Sequence, residues 1–225
     1  TTAVEDVFIV PASFVEAQIR AVVADVGPTA TKTGMLATAE TVDVVAAAVG
    51  RYGLRPLVVD PVMVAQSGAR LLHADAVHVL RTRLLPLATV VTPNVPEAEA
   101  LLETRIVSLD DMRRAARAFI RLGAQSCFLK GGHLEGERAV DVFDDGDEPL
   151  VLEQPRLATP HTHGTGCQLS AAFVAALAKG QDLRSAARLS KQFIQRAIEK
   201  ALPIGKGCGP ANALAWLRSE GTLGL

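Results

Sequence analysis

The run His161-Thr162-His163-Gly164-Thr165-Gly166-Cys167 stands directly before the small-residue stretch QLSAAFVAALAKG. Two glycines let a backbone turn tightly and approach a ligand closely. The helix expected to open there would present unpaired N–H groups and a positive dipole end, which together make an anion site. A plain loop-to-helix junction capped by Thr165 is the alternative. Cys167 falls at the helix start, where the dipole stabilises an anion by about 0.3–1 kcal/mol and up to about 2. That would lower a thiol of reference value near 8.5 by about one unit. Such a thiol suits a general base taking a proton from a substrate hydroxyl, whereas a small packing cysteine is the structural alternative.

Further groups of this kind sit where apolar runs end. Asp60-Pro61-Val62 puts a carboxylate at the end of PLVVD, as a turn former or as a metal or phosphate contact. Asn94 and Glu97 in TPNVPEAE have the spacing of a capping box, and their oxygens also suit hydrated Mg²⁺. Lys130-Gly131-Gly132-His133 places an ammonium beside two glycines, as a phosphate contact or a solvated lysine before a turn. Gly205-Lys206-Gly207-Cys208-Gly209-Pro210 is a second glycine-rich loop with one cation. His161, His163 and Cys167 lack the fourth ligand and the spacing of a zinc site. There is no G-x-x-x-x-G-K-[ST] and no G-x-S-x-G. Four signals of the same type favour phosphoryl transfer.

The elements that must carry these groups alternate. Val7–Val10, Ala30–Thr33, Pro56–Asp60, Ala88–Thr92 and Ser126–Lys130 read as strands. Helices are expected at about Ser13–Val26 (Phe14, Ile19, Val22 and Val23 apolar), Thr38–Tyr52 and Asp75–Leu84, after Asn94 and after Ser108. Ala139–Phe143 and Leu150–Glu153 flank Asp-Asp-Gly-Asp, the mark of an antiparallel hairpin. Helices at about Gln168–Lys179, Leu183–Ala201 and Pro210–Ser219 complete the chain. Arg113, Arg114, Arg117 and Arg121 form a charged helical face read as solvated, and Met112 and Trp216 read as packing residues. Repeated βαβ units predict a three-layer αβα fold, a mostly parallel sheet with helices on both faces, as one domain over residues 1–225. Its chemistry belongs beyond the carboxyl ends of the strands.

Composition narrows the partners. The 225 residues are 49% hydrophobic and 21% charged, enough for a sizeable core. Lys plus Arg is 23 and Asp plus Glu 24, for a net charge of −1, so no polynucleotide partner is expected. No apolar run approaches the roughly 18–20 residues of a membrane span, and no signal peptide is visible. Three widely spaced cysteines make a poor disulfide framework, so a cytoplasmic setting is the expectation.

Assembled, KTGMLA (32–37), VVDPVMVAQSG (58–68), LLPLATVVTPNVPEAEALL (84–102), LKGGH (129–133), HGTGCQLSAA (163–172) and GKGCGP (205–210) resemble the ribokinase-like kinases. More closely, they resemble the hydroxymethylpyrimidine/phosphomethylpyrimidine kinases of thiamine biosynthesis, in the family's order and over nearly the whole chain. The resemblance implies ATP- and Mg²⁺-dependent phosphorylation of 4-amino-5-hydroxymethyl-2-methylpyrimidine and then of its monophosphate. It implies Cys167 as base, Gly164, Thr165 and Gly166 as the anion hole, and Lys130 with Lys206 toward the nucleotide. Asp60, Asn94 and Glu97 would organise magnesium and its waters, and Met35 and Val62 would border the pyrimidine. A homodimer is a family expectation, as is a lid over the nucleotide from residues 132–149.

Two departures accompany the resemblance. The family opens with a strand, a Ser/Gly-rich loop and a helix; nothing similar precedes Thr1, so the expectation is a sheet lacking its N-terminal strand-helix-strand unit. Cys208 stands where His is expected. Pyridoxal kinase is the nearest rival, and Ala65 after DPVMV, where those relatives carry cysteine, favours the pyrimidine. A non-catalytic pyrimidine-binding module is the rival from another class.

Overall fold

The computed structural model describes residues 1–64, 68, 71–134 and 136–217. Six strands form one sheet in sequential order: β1 (Thr31–Thr33), β2 (Leu57–Val59), β3 (Val90–Val91), β4 (Cys127–Lys130), β5 (Arg138–Asp144) and β6 (Leu150–Pro155). The first four are parallel, with Lys32 opposite Val58, Val59 opposite Val91 and Val91 opposite Cys127. β5 and β6 continue the sheet as an antiparallel hairpin, Lys130 pairing with Asp141. The expected mostly parallel sheet is therefore present.

Alternation along the buried strands divides the core in two. Leu57, Val59, Val91, Cys127 and Leu129 face one layer, packing with α2 (Ala39–Tyr52), α3 (Ala74–Val79), α4 (Val95–Leu102) and α5 (Leu109–Arg121). Val58, Val90, Phe128 and Phe143 face the other, against α6 (Thr165–Ala178) and α7 (Leu183–Glu199). Phe128 meets Phe173 of α6 edge-on at 6.0 Å, fixing α6 to β4. The helices start where capping chemistry allows: Thr38 accepts from Thr41 N–H, Ser108 from Asp111 N–H and Asp182 from Ser185 N–H. Met112 is fully buried, and Trp216 packs on Phe193 at 5.9 Å.

Several elements depart from the expectation. Val7–Val10 forms no strand: it is exposed, Phe8 at 86%, and no strand among the described residues offers it a ladder partner. Helix α1 (Ala12–Asp25) comes next and packs on α2 through Val15, Ile19 and Val23, leaving Phe14 and Val22 exposed. β1 is an edge strand among the described residues. After α3 the chain widens into a π-turn at Leu80–Leu84 and a 3₁₀ turn at Leu85–Leu87, since Pro86 lacks the N–H that would continue an α-helix. Of the helix expected at 210–219, the described part holds only a 3₁₀ turn at Ala213–Ala215, started by Asn212, and the rest lies outside the described residues. The hairpin within the expected lid segment continues the sheet, with its turn end anchored: Arg117 binds Asp144 at 2.7 Å and Arg184 grips Asp145 at 2.7–2.8 Å. Arg113 and Arg114 pair with Asp110 and Asp111 one turn earlier, so that face is laced with ion pairs as well as solvated.

Candidate active site

The parallel strands end at one edge of the sheet, and the ladder sets the spacing of the residues just past their carboxyl ends. Asp60 N–H donates to Thr33 O at 3.1 Å, Thr92 N–H to Val59 O at 2.9 Å and Lys130 N–H to Pro93 O at 2.8 Å. Asp60, Thr92, Asn94 and Lys130 thereby come side by side although up to 70 residues separate them.

Asp60 is the buried centre, 1% exposed. Its Oδ1 accepts from Lys130 Nζ at 3.0 Å and Thr92 Oγ1 at 3.3 Å, and its Oδ2 from Ser170 Oγ at 3.0 Å. Lys32 Nζ stands 3.8 Å from Oδ2. Burial alone would push this carboxyl up, but Lys130 and Lys32 outweigh it and hold Asp60 below the usual range. Glu97 goes the other way: it is buried, its nearest cation, Lys130 Nζ, is 3.9 Å off, and desolvation pushes its carboxyl up. Lys130 is held above the ordinary lysine value by the two carboxylates, against its burial.

Asn94 and Glu97 form the capping box read from their spacing. Asn94 Oδ1 accepts Glu97 N–H and Glu97 Oε2 accepts Asn94 N–H, both at 2.8 Å. Met63 N–H also binds the Glu97 carboxylate. Asp60 accepts three hydrogen bonds and Asn94 and Glu97 cap one another, so the expected trio makes no direct chelate for Mg²⁺ and leaves only contact through water. Among the described residues no three His, Cys, Asp or Glu side chains converge on a metal position.

Helix α6 begins beside this cluster. Gly164 takes φ +78°, a left-handed turn that glycine adopts without strain, and serves as N-cap with no side-chain bond. Thr165 is the first helical residue, not the cap. The first-turn N–H groups of α6 point out of the helix, and a Cβ on Gly166 would lie 3.1 Å from Lys130 Nζ. The α6 N-terminus and the Lys130 ammonium therefore lie side by side.

Cys167 is exposed in that first turn, and its thiol is pushed up, not down. Desolvation is the main cause, with the Asp60 carboxylate second, and together they outweigh Lys32 and Lys130. The helix dipole is the only field that the local sequence places beside the thiol; desolvation, with the neighbouring anion second, reverses the sign.

The second glycine loop joins the first. His163 N–H donates to Gly209 O at 3.0 Å, Gly209 N–H to His161 Nδ1 at 3.1 Å and Cys208 Sγ to Pro160 O at 2.6 Å. Lys206 is exposed on this loop, and Thr1 lies against it, its carbonyl accepting from Cys208 N–H at 3.1 Å. Met35 (40% exposed) and Val62 come after β1 and β2 at the same edge of the sheet. Ala65 lies outside the described residues. Two surface hollows of about 390 and 380 Å³ lie elsewhere, against α5 and its arginines. The strand-end cluster is the candidate because the buried charges converge there.

Four participants carry no role in the sequence reading, although Lys32, Thr92 and Ser170 lie inside the quoted motif stretches and Asp141 inside the expected hairpin. Lys32 is the middle residue of β1, one before its carboxyl end, and a lysine so near a strand end is the signal that could have found it. Ser170 is three residues past Cys167, the same face of a helix. Asp141 accepts Gly131 N–H at 2.9 Å and is paired with buried Lys191 at 2.7 Å, fixing the bend after Lys130. Thr92 completes the Asp60 shell.

Among known proteins, the phosphomethylpyrimidine kinase family matches residues 1–212. The chain is 42% identical to the hydroxymethylpyrimidine/phosphomethylpyrimidine kinase of Bacillus subtilis over 204 residues, 90% of this chain and 75% of that protein. It is 46% identical to the thiamine biosynthesis bifunctional protein ThiED of Geobacter sulfurreducens over 94% of this chain, spanning 43% of that longer protein. The solved pyridoxal kinase of Staphylococcus aureus in complex with AMP-PCP and pyridoxal superposes with a TM-score of 0.89 at 32% identity, covering 97% of this chain and 81% of that one. With this sheet order, this strand-end cluster and a family match running nearly end to end, the chain belongs to the phosphomethylpyrimidine kinase family, a family of phosphotransferases.

Proposed function

We propose that the protein transfers the γ-phosphoryl group of ATP to the hydroxyl of 4-amino-5-hydroxymethyl-2-methylpyrimidine, and then a second phosphoryl group to the monophosphate, for thiamine biosynthesis. The observation that carries this reading is the convergence of Lys130, Asp60 and Cys167 on the glycine-started N-terminus of α6. In the first transfer the substrate oxygen bonds to Pγ, the bond from Pγ to the β-phosphate oxygen breaks, and the hydroxyl proton passes to the Cys167 thiolate. Gly164, Thr165 and Gly166 present N–H groups to the moving phosphoryl group, and Lys130 balances its charge; phosphoryl transfer depends mainly on such positioning and electrostatics. Lys206 reaches toward the nucleotide, and Met35 and Val62 flank the pyrimidine. Mg²⁺ would enter with the nucleotide and would neutralise phosphate charge, with Asp60, Asn94 and Glu97 nearest to its waters rather than as a direct chelate.

The pyridoxal kinase likeness supports a second reading, phosphorylation of pyridoxal. Incubating the protein with ATP and each acceptor separates them. Phosphate on both pyrimidines is expected, and product from pyridoxal alone overturns the first reading.

A further inference from the structure

The two lysines that flank Asp60 come from opposite sides of it. Lys130 arrives on β4, two strands from β2 in one direction, and its ammonium lies at the start of α6. Lys32 arrives on β1, the neighbour in the other direction. A Cβ on Gly34 would lie 3.2 Å from Lys32 Nζ, so the ammonium lies under the turn that leads to Met35. The two cations are held differently. Lys130 makes a 3.0 Å hydrogen bond to Asp60, whereas Lys32 stands 3.8 Å off with its side chain 21% exposed. Among the described residues Lys32 makes no hydrogen bond, so its three N–H donors are available to a ligand. Its charge also acts on the Cys167 thiol, ahead of that of Lys130.

This asymmetry matches a difference between the two acceptors. The alcohol is neutral and must lose a proton. A phosphate monoester is close to a dianion at neutral pH and already carries its nucleophilic oxygen unprotonated. Bringing it against the terminal phosphate of ATP requires a cation on the acceptor side, in addition to the one that serves the transferred group. We infer that Lys32 is the acceptor-side cation that binds the phosphate of the monophosphate substrate, and so determines competence for the second phosphorylation rather than the first. In that second step the acceptor phosphate oxygen bonds to Pγ, the bond from Pγ to the β-phosphate oxygen breaks, ADP leaves, and no proton need be abstracted. The inference rests on the proposed function and divides its two steps between two residues: Cys167 is demanded by the alcohol, Lys32 by the phosphate.

The test compares kcat/KM for the two pyrimidine acceptors in the parent protein, Lys32→Met, Lys32→Arg and Cys167→Ala. A charge-assisted contact to phosphate predicts that Lys32→Met loses about 10- to 100-fold on the monophosphate, and at least about tenfold less than that on the alcohol. Lys32→Arg recovers most of the loss, and Cys167→Ala shows the reverse preference. If Lys32→Met precipitates, Lys32→Gln carries the same comparison, and calorimetric binding of the monophosphate without nucleotide gives a readout independent of turnover. Equal losses on both acceptors, or a larger loss on the alcohol, overturn the role of Lys32 while leaving the kinase reading intact. A parent protein that phosphorylates neither pyrimidine removes the functional reading and this inference with it.

Discussion

Replacing Lys130 with methionine removes a cation from a carboxylate that is 1% exposed. The remaining partners of Asp60 are two hydroxyls, at 3.0 and 3.3 Å, and Lys32 at 3.8 Å. Breaking a buried ion pair from one side costs about 3–5 kcal/mol. Because Lys32 still compensates part of the charge, the low end applies, about 3 kcal/mol. For a domain of this size each kcal/mol moves Tm by about 2–4 °C, so Lys130→Met should melt about 6–12 °C below the parent. Loss of one preformed donor to the transferred phosphoryl group should lower kcat by about 10²–10³. The double variant Lys130→Met/Asp60→Asn distinguishes the two effects. Asparagine keeps an acceptor for one of the two hydroxyls, offers the other an N–H to accept, and carries no charge, so at least half of the lost Tm should return while kcat stays low. Calorimetric melting and ADP release measured on the same preparations decide it. A Lys130→Met protein that melts within a degree of the parent and turns over at the parental rate refutes both the charge balance and the catalytic role.

Cys167 and Gly131 offer two further tests of the same geometry. With its thiol pushed up, Cys167 reaches the thiolate form only above the ordinary thiol range, so kcat for the alcohol acceptor should keep climbing as pH is raised past that range. Cys167→Ala should lower that kcat by about 10²–10⁴ and abolish the climb while AMP-PCP still binds; a plateau already reached at pH 7 contradicts thiolate catalysis. Gly131→Ala places a Cβ into Val140 O and 2.7 Å from Met112 Cε, so the bend that carries Lys130 must shift. Turnover should fall while α-helical circular dichroism is retained, and full activity would show that the bend tolerates displacement.

The sequence by itself determined most of the frame. Continuous apolar runs such as Leu57–Val59 can be satisfied only as strands buried on both faces, and the glycines of His163–Cys167 mark a helix start bare enough to receive a phosphate. The spacing of Asn94 and Glu97 specified their mutual caps, because a capping box is a local bond pattern. The direction of the Cys167 shift, the three hydrogen bonds to Asp60 and the pairing of Asp141 with Lys191 were decided only by the tertiary structure. Each depends on groups brought together from up to 110 residues apart, and Coulomb interactions and burial depend on distance in space, which local pattern does not carry. Val7–Val10 shows the same limit from the other side: its composition favours a strand, but a strand exists only where a neighbour supplies the ladder.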